Sequence, residues 1–430
     1  MFMSTNDGKN ENLGFIKIAI AIIAILLEVL CVAGIKYIDA CQRGDNLSSS
    51  AATTEATTQQ SDDDIDDTTA QTDTNDTEEQ SVSAGDICDL SQKTGLLHKD
   101  LPEWETPDTC TDIKQVANAF DEYVLSASTD GLTIPTNGVS EDDISLINSY
   151  IRQHLGVASS YVMVDGKCKI DIEYDDQFFV YRYIVYGVPI PDDNERANAL
   201  YEALVEMLSA VNMEDMSDYD KELMFHDYIT GIADYDYAAL TDPKDRDAHT
   251  AYGLFIDHEC VCEGYSEAMN LLLTIAGIDN YYISGEASSG SNTDGHAWNQ
   301  VCIDGDWYHV DATWDDRGDN GISYEFFNVP DAVIGTNHSW EDGYWPECTS
   351  MEANYYEYND LYFSTQDELV AYLSDNSDEI GNKVHVVVGD YDAASYDFSK
   401  LVGILWQGGK CYHSVEKLSD DYTYIVLYKN

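Results

Sequence analysis

Apolar residues recur at helical spacing in the segment that follows Cys262. The stripe runs at intervals of three and four residues and consists of Ala268, Leu271, Leu272 and Ile275. Gly277 stands where a helix commonly ends, so the pattern predicts a helix that begins at Cys262. The free amides and the positive dipole end at a helix start favour a thiolate, the nucleophilic form of cysteine. Glu263 opposes this effect locally, so the thiol also needs a base.

A β-hairpin is predicted downstream of this helix. Two β-prone runs flank Asp304-Gly305, and Asp-Gly in that position is the strongest short-range hairpin signal. A two-residue turn there places His296 opposite Thr313 and puts Asp311 on the same face as His296, about 7–8 Å away at Cα. A three-residue loop would put the two side chains on opposite faces unless a bulge restored the phase.

Other patterns predict the elements around this centre. Asp165-Gly166 predicts a second hairpin, the aromatic run from Phe178 to Tyr186 predicts a strand, and Asp192 to Val211 predicts a long helix. The glycine- and serine-rich residues 285–294 predict a loop. The Asp- and Tyr-rich segment from Ala233 to Asp247 predicts a loop beside the site.

The first 85 residues differ from the rest of the chain. An apolar run from Ile18 to Ile35, interrupted by Glu28, predicts a single-pass signal anchor, with a cleaved signal peptide and lipidation at Cys41 as alternatives. The polar and acidic residues from Gly44 to Gly85 cannot bury enough apolar surface to fold, so they predict a disordered stalk. This order predicts a protein tethered to the cell membrane whose folded part lies outside the cytoplasm. Cleavage of the signal would make it a secreted protein.

The charge balance narrows the range of partners. Asp and Glu total 81 against 21 Lys and Arg, which gives a formal net charge of −60. Phosphate groups repel such a surface, so we predict no binding to nucleic acid and none to anionic lipid headgroups. The ten cysteines are too sparse for a disulfide scaffold. Cys88 and Cys110 either form a disulfide or remain free thiols.

The candidate chemistry lies in the central helix and hairpin. A cysteine at a helix start, a histidine on a strand and an aspartate on the paired strand form a set of nucleophile, base and orienting group. These residues are Cys262, His296 and Asp311. Cys260 competes as nucleophile, but it lies before the helix, where the dipole helps less. The two cysteines with His258 and His296 suggest a zinc site, yet no second close-spaced ligand pair accompanies them, so we predict no metal and no cofactor.

Two further histidines have weaker claims. Ser217 predicts the start of a helix that carries His226, and a histidine on an apolar helical face is more often a hydrogen-bonded core residue than a second base. His309 shares the hairpin face of Asp311 but lies nearer the turn, which predicts an outer or surface group.

Three blocks of sequence resemble the transglutaminase-like superfamily, in its bacterial cell-surface branch. They are Cys262-Glu-Gly-Tyr-Ser266, His296-Ala-Trp-Asn299 and Asp304-Gly-Asp-Trp-Tyr-His-Val-Asp311-Ala-Thr-Trp-Asp315. The resemblance covers residues 215–330 and implies a papain-like α+β core, in which the nucleophile helix packs on an antiparallel sheet. It also implies Cys262, His296 and Asp311 as the catalytic triad.

The same resemblance implies a thiol enzyme that acts on peptide or protein amide bonds through an acyl-thioester. Hydrolysis is favoured over cross-linking, since water is the abundant acceptor outside a cell. Protein or peptide substrates are the expected partners, with cell-wall peptide as one candidate. The alternative is a catalytically silent surface module that binds protein or glycan.

The patterns and the resemblance together divide the chain into six predicted segments. They are a cytoplasmic N-terminus at 1–17, a transmembrane signal anchor at 18–38, an acidic stalk at 39–85, an N-terminal α+β region at 86–212, the transglutaminase-like core at 213–349 and a small C-terminal α+β region at 350–430.

Overall fold

The chain folds into helices and mainly antiparallel sheets, which confirms the predicted α+β class. The computed structural model describes residues 99–429 except 130, 156, 210–212, 214, 242–245, 319–320, 342, 395 and 407–409. All of these residues fall within one compact unit, Gly85–Asn430. The predicted cytoplasmic N-terminus, anchor and stalk, together with Cys88, lie outside the described residues. Within the described ranges, no helix is long and apolar enough to cross a membrane.

The N-terminal part of the described chain contains a three-stranded antiparallel sheet in the order β1-β3-β2. Its elements are α1 (Ile113–Leu125), β1 (Leu132–Pro135), α2 (Glu141–Ile144), β2 (Val157–Val164), β3 (Lys167–Tyr174), α3 (Asp176–Tyr186) and α4 (Glu195–Ser209). Strands β2 and β3 form the predicted hairpin, with Asp165 and Gly166 at φ values of 50° and 73° in its turn. Positive φ at both turn positions matches the twist of the paired strands, which is why Asp-Gly is favoured there.

The aromatic run at α3 is helical, so the predicted strand from Phe178 to Tyr186 is wrong. The Asp175 side chain accepts a hydrogen bond from the backbone N–H of Asp176 at the helix start, and Gly187 ends the helix with a φ of 68°. The buried side chains on its inner face include Phe178, Tyr181, Ile184 and Val185. Aromatic residues favour strands in general, but here the two caps and burial at helical spacing outweigh that preference.

The central part of the chain carries a four-stranded antiparallel sheet in the order β8-β7-β6-β9. Its elements are α5 (Asp218–Ile232), β4 (Asp234–Tyr235), β5 (Glu259–Cys260), α6 (Cys262–Ala276), β6 (Asn280–Ser289), β7 (Asn292–Ile303), β8 (Asp306–Val310), α7 (Ala312–Asp315), α8 (Asp331–Ile334) and β9 (His338–Ser339). Helix α6 begins and ends as predicted, with Gly277 at a φ of 77° after its last turn, and it packs on β6 and β7. One hydrophobic cluster extends from Cys110 to Ala353, so the N-terminal and central parts share an interior.

Most of the glycine- and serine-rich segment 285–294 is strand, so the predicted loop is wrong. Strands β6 and β7 pair from Asn280 with Val301 to Ser289 with Asn292. Gly285 serves a close approach, because a Cβ there would lie 2.3 Å from the backbone oxygen of Ser339 and 2.7 Å from the ring of Trp298. The small residue thus lets β9 come close to β6.

The C-terminal part contains a second four-stranded sheet in the order β10-β11-β13-β12. Its elements are α9 (Tyr355–Tyr358), β10 (Tyr362–Phe363), α10 (Gln366–Asp375), β11 (Lys383–Val388), α11 (Phe398–Leu405), β12 (Cys411–Lys417) and β13 (Thr423–Lys429). Helices α10 and α11 cover one face of this sheet through a cluster that includes Leu369, Leu401 and Ile425. The other face joins the central sheet in a cluster that includes Trp298, Phe326 and Tyr422.

Candidate active site

Cys262 lies at the start of α6, against the sheet. Val261 precedes the helix in an extended conformation, and its side chain provides no cap. Cys262 is 7% exposed and packs with Tyr282 of β6 and Ala297 of β7. The thiol is therefore nearly enclosed, but it lies where the helix dipole favours an anion.

Close packing fixes this helix start. A Cβ at Gly264 would lie 2.6 Å from the Cβ of Cys260 and 2.9 Å from the carbonyl oxygen of Ala248. Burial raises the pKa of the Cys260 thiol well above its ordinary range, aided by nearby carboxylates. Cys260 thus acts as a packing residue below the helix start. The Glu263 side chain, which follows the thiol in sequence, is paired with the His249 ring.

The hairpin brings His296 and Asp311 together. Ile303 pairs with Asp306, so the Asp304-Gly305 turn has the predicted two-residue length. His296 Nε2 donates a hydrogen bond to Asp311 Oδ2 at 2.8 Å. The predicted meeting of imidazole and carboxylate is therefore present in the structure.

The route to this contact differs from the prediction in one respect. The β7-β8 ladder ends at Val310, so His296 does not pair with Thr313. Asp311 instead caps α7, and its Oδ1 accepts a hydrogen bond from the backbone N–H of Trp314 at 3.1 Å. A cap was not evident from the strand pattern, yet it holds the carboxylate more rigidly than a position within a strand would.

The charges of the pair stabilise each other. Burial opposes the charged form of the His296 ring, but the Asp311 carboxylate outweighs it and, with the Cys262 sulfur, raises the pKa of His296 to about 10. Burial also opposes ionisation of Asp311, yet the bonds from two imidazoles hold its pKa below the ordinary range. Because Nε2 of His296 faces Asp311, Nδ1 is the nitrogen left for the hydrogen bond with Cys262.

Tyr235 is a second group at the nucleophile that the motifs did not identify. Strands β4 and β5 pair in parallel, with Tyr235 beside Cys260, so the predicted loop from Ala233 does begin next to the site. Burial and the nearby charge of Cys262 raise the pKa of Tyr235, and the backbone amide of Cys262 opposes this rise, so the hydroxyl lies beside the nucleophile. The tyrosine-rich composition of this segment was the available signal, but nothing in it distinguished one tyrosine from another.

His338 of β9 is a second imidazole on Asp311. Its Nε2 donates to Asp311 Oδ2 at 3.0 Å, and its Nδ1 is bonded to the side-chain oxygen of Asn337 at 2.6 Å. The residue lies 27 positions after Asp311 in a segment without a clear periodic pattern. No sequence signal connected it with the site.

The two other histidines considered from the sequence lie in the interior. His226 is fully buried and contacts Asp315 through Nε2 at 3.2 Å, which confirms it as a hydrogen-bonded core residue. His309 is also fully buried, so the surface position, one of its two predicted alternatives, is wrong. The Trp298 indole donates a hydrogen bond to Nδ1 of His309 at 3.0 Å, and Nε2 of His309 donates to Asp331 at 2.9 Å.

Two groups of three potential metal ligands occur among the residues that the structure describes. They are His296, Asp311 and His338, and His309, Asp331 and Cys348. In the second group the bond from Trp298 requires a lone pair on Nδ1 of His309, so the proton of the neutral ring is on Nε2, which then has no lone pair for a metal. In the first group hydrogen bonds already join both imidazoles to the carboxylate. The zinc set considered from the sequence comprised His258, Cys260, Cys262 and His296, and of these only His296 belongs to either group.

A thiol at a helix start, beside an imidazole that is hydrogen-bonded to a buried carboxylate, defines a papain-like class of site on this α+β fold. Residues 206–312 match the family model of the transglutaminase-like superfamily, so this segment is a transglutaminase-like domain. The resemblance seen in the three sequence blocks is thereby confirmed at the level of the superfamily.

Known proteins resemble parts of the chain. Kyphoscoliosis peptidase of Homo sapiens and that of Mus musculus are each 28% identical over 119 residues, which are 26% of this chain and 18% of the relative. The chain thus matches less than a fifth of either relative. A solved TGase has 16% identity and a TM-score of 0.24, and covers 43% of this chain and 52% of its own. A candidate cysteine protease from Cytophaga hutchinsonii has 16% identity and a TM-score of 0.22, and the match covers 36% of this chain and 62% of the protease.

Proposed function

We propose that this chain is a membrane-tethered thiol enzyme that acts outside the cytoplasm on peptide or protein amide bonds, mainly by hydrolysis. The observation that supports this most is the contact series from the Cys262 thiol to His296 and on to the buried Asp311. The superfamily match supports the class of enzyme. The mammalian relatives are peptidases by name, which supports an amide-bond reaction.

The triad supplies each proton that the reaction needs. His296 takes the proton of Cys262, and the sulfur attacks the amide carbonyl to form a tetrahedral intermediate. The intermediate collapses when the C–N bond breaks and His296 returns the proton to the leaving amine. Water then attacks the thioester, His296 takes a proton from it, and the acid departs as the sulfur regains its proton. Asp311 keeps the imidazole oriented and stabilises its charged form.

Two donors are available for the oxyanion of the intermediate. The backbone amide of Cys262 is one, and the Tyr235 hydroxyl beside it is the other. A substrate oxygen that enters between them would receive hydrogen bonds from both. On this basis we assign Tyr235 as the second oxyanion donor.

A non-catalytic module that binds protein or glycan is the second candidate. It would retain the fold without using the thiol. The position of the Cys262 thiol beside the His296–Asp311 pair argues against it, because a buried pair alone, such as His226 with Asp315, also occurs away from the site. Attachment to a membrane through residues 18–38 is part of the same proposal and rests on the sequence pattern alone.

Product analysis tests the proposal directly. The full-length chain is incubated with glutamine-containing peptides, with and without a primary alkylamine, and the products are read by mass spectrometry. Shortened peptides indicate a peptidase, conversion of glutamine to glutamate indicates side-chain hydrolysis, and an amine adduct indicates transamidation.

Matched cysteine variants are the control for that experiment. We expect Cys262→Ala to abolish every product and Cys260→Ala, a change in the packing layer below, to retain them in the folded fraction. Absence of product and of any covalent intermediate with the wild-type chain would favour the binding module. Amine adducts in place of hydrolysis would overturn the preference for hydrolysis.

A further inference from the structure

We propose that His338 is a positioning residue of this site, which holds Asp311 through a second imidazole hydrogen bond and thereby fixes the orientation of His296. The inference rests on the proposed function, because it concerns the same triad. It adds a fourth residue, from a strand far along the chain from the three sequence blocks.

The carboxylate of Asp311 is shared by two rings. Oδ2 accepts from His296 at 2.8 Å and from His338 at 3.0 Å, while Oδ1 accepts from the backbone of Trp314. Asp311 and the His338 side chain are both fully buried. With both oxygens engaged, the carboxylate has no rotational freedom left, and its bond to His296 keeps one direction.

His338 is itself held on all sides. Strand β9 pairs with β6 through Ala287 opposite His338, and the backbone N–H of Ser288 donates to the Asn337 carbonyl at 2.7 Å. The ring packs against Trp298 and Trp314, with centroids 5.0 and 4.6 Å away. A ring restrained in this way can orient a neighbour, whereas a mobile one could not.

Gly285 shows that the chain is adapted to this contact. It pairs with His296 on β7, and a Cβ there would collide with Ser339 of β9. The glycine therefore lets the strand that carries His338 approach the strand behind His296. The arrangement belongs to the site, since it brings both imidazoles to the same carboxylate.

Loss of His338 should affect the charge of the triad as well as its geometry. The titratable groups that face the ring are Asp311 after β8, His296 of β7 and His309 of β8. Its other side-chain neighbours are the amide of Asn337 and aromatic rings. Without His338 the Asp311 carboxylate can turn away from His296, so it stabilises the charged imidazole less. The pH at which the thiolate forms should then move upward.

Alkylation of Cys262 by iodoacetamide, followed by peptide mass spectrometry across a pH series, tests the proposal on the full-length chain. We expect His338→Ala to be alkylated about tenfold more slowly at neutral pH, with the midpoint of the profile at higher pH. His338→Gln keeps a donor for Asp311 and should stay within about twofold of the wild type at the plateau. The control pair His385→Ala and His385→Gln, in the other sheet, should match the wild type.

The outcomes separate the two proposals. A wild-type rate in His338→Ala, or an equal loss in the alanine and glutamine variants, would overturn the role of His338. Should His338→Ala not fold, Asn337→Ala leaves the ring in place and removes its Nδ1 partner. Slower alkylation of that variant would support the role, and a wild-type rate would contradict it. No alkylation of Cys262 in the wild-type chain would count against the proposed function instead.

Discussion

The central part of the chain contains two buried histidine–aspartate pairs, whose aspartates lie close together in the sequence. His296 bonds to Asp311, and His226 bonds to Asp315, at 2.8 and 3.2 Å. Both carboxylates belong to the short helix α7, where Asp311 is the cap and Asp315 the last residue. Burial opposes the charge of both rings, yet their carboxylate partners raise the pKa of His296 to about 10 and that of His226 to about 9.

The difference between the pairs is what faces the second ring nitrogen. In His226 it faces Asp227 at 3.3 Å, and the ring packs in the interior against Phe327. In His296 the remaining nitrogen faces the Cys262 thiol at a helix start. A buried ion pair with shifted pKa values therefore does not by itself mark an active site. The presence of a nucleophile beside the imidazole distinguishes the catalytic pair from the structural one.

Neutralising the two aspartates in turn should separate these roles most strongly. We expect Asp311→Asn to keep the fold and to reduce turnover by about 10⁴-fold, because the amide does not hold the same imidazole tautomer. Asp315→Asn should instead lower the free energy of unfolding, by about 3–5 kcal/mol, since it removes the buried partner of a buried imidazolium and leaves only the partly exposed Asp227. Initial rates and denaturant unfolding of both variants provide the measurement. Equal losses of turnover in the two folded variants would contradict the distinction.

A smaller effect is expected at the oxyanion donor. Tyr235→Phe removes only the hydroxyl beside the Cys262 amide, so turnover should fall by about 10²-fold while alkylation of the free thiol is retained. Tyr237→Phe is the matched control. Tyr237 lies on the same loop and is 65% exposed. Turnover of Tyr235→Phe within twofold of the wild type would remove this tyrosine from the mechanism.

The smallest effect on turnover should come from the interior pair. The folded-state pKa of His226, about 9, exceeds the unfolded value of about 6.5, so its stabilising contribution is present below pH 6.5 and is lost as the pH rises through 9. His226→Gln should lower the melting temperature at pH 6.5 and flatten its fall toward pH 9. Thermal unfolding at several pH values checks this, and parallel curves for wild type and variant would contradict it.

The sequence was most informative where local chemistry and global packing agree. Helix α6 and the turn at Asp304-Gly305 followed from a hydrophobic stripe, an αL glycine and an Asp-Gly pair, each of which acts over a few residues. The triad followed from those two elements. The strand predicted at α3 failed because aromatic content favours strands, while capping by Asp175 and Gly187 favours the helix.

Residues that reach the site from distant segments were out of range of local patterns. His338 comes to Asp311 through the pairing of β9 with β6, a contact between strands far apart in the sequence. Tyr235 comes to Cys262 through the two-residue pairing of β4 with β5. Pairings this short leave no periodic signal, so their partners emerge only from the folded chain.

Competitive alkylation tests most directly whether Cys262, activated by His296, is the nucleophile. The full-length chain is treated with limiting iodoacetamide at pH 6 and pH 7, and modification is quantified at Cys262 and at Cys260 in the same digest. We expect rapid modification of Cys262 at both pH values, none at the buried Cys260, and a strong loss at Cys262 in His296→Gln. Modification of Cys262 that is slow at pH 6 and unchanged in His296→Gln would contradict this assignment.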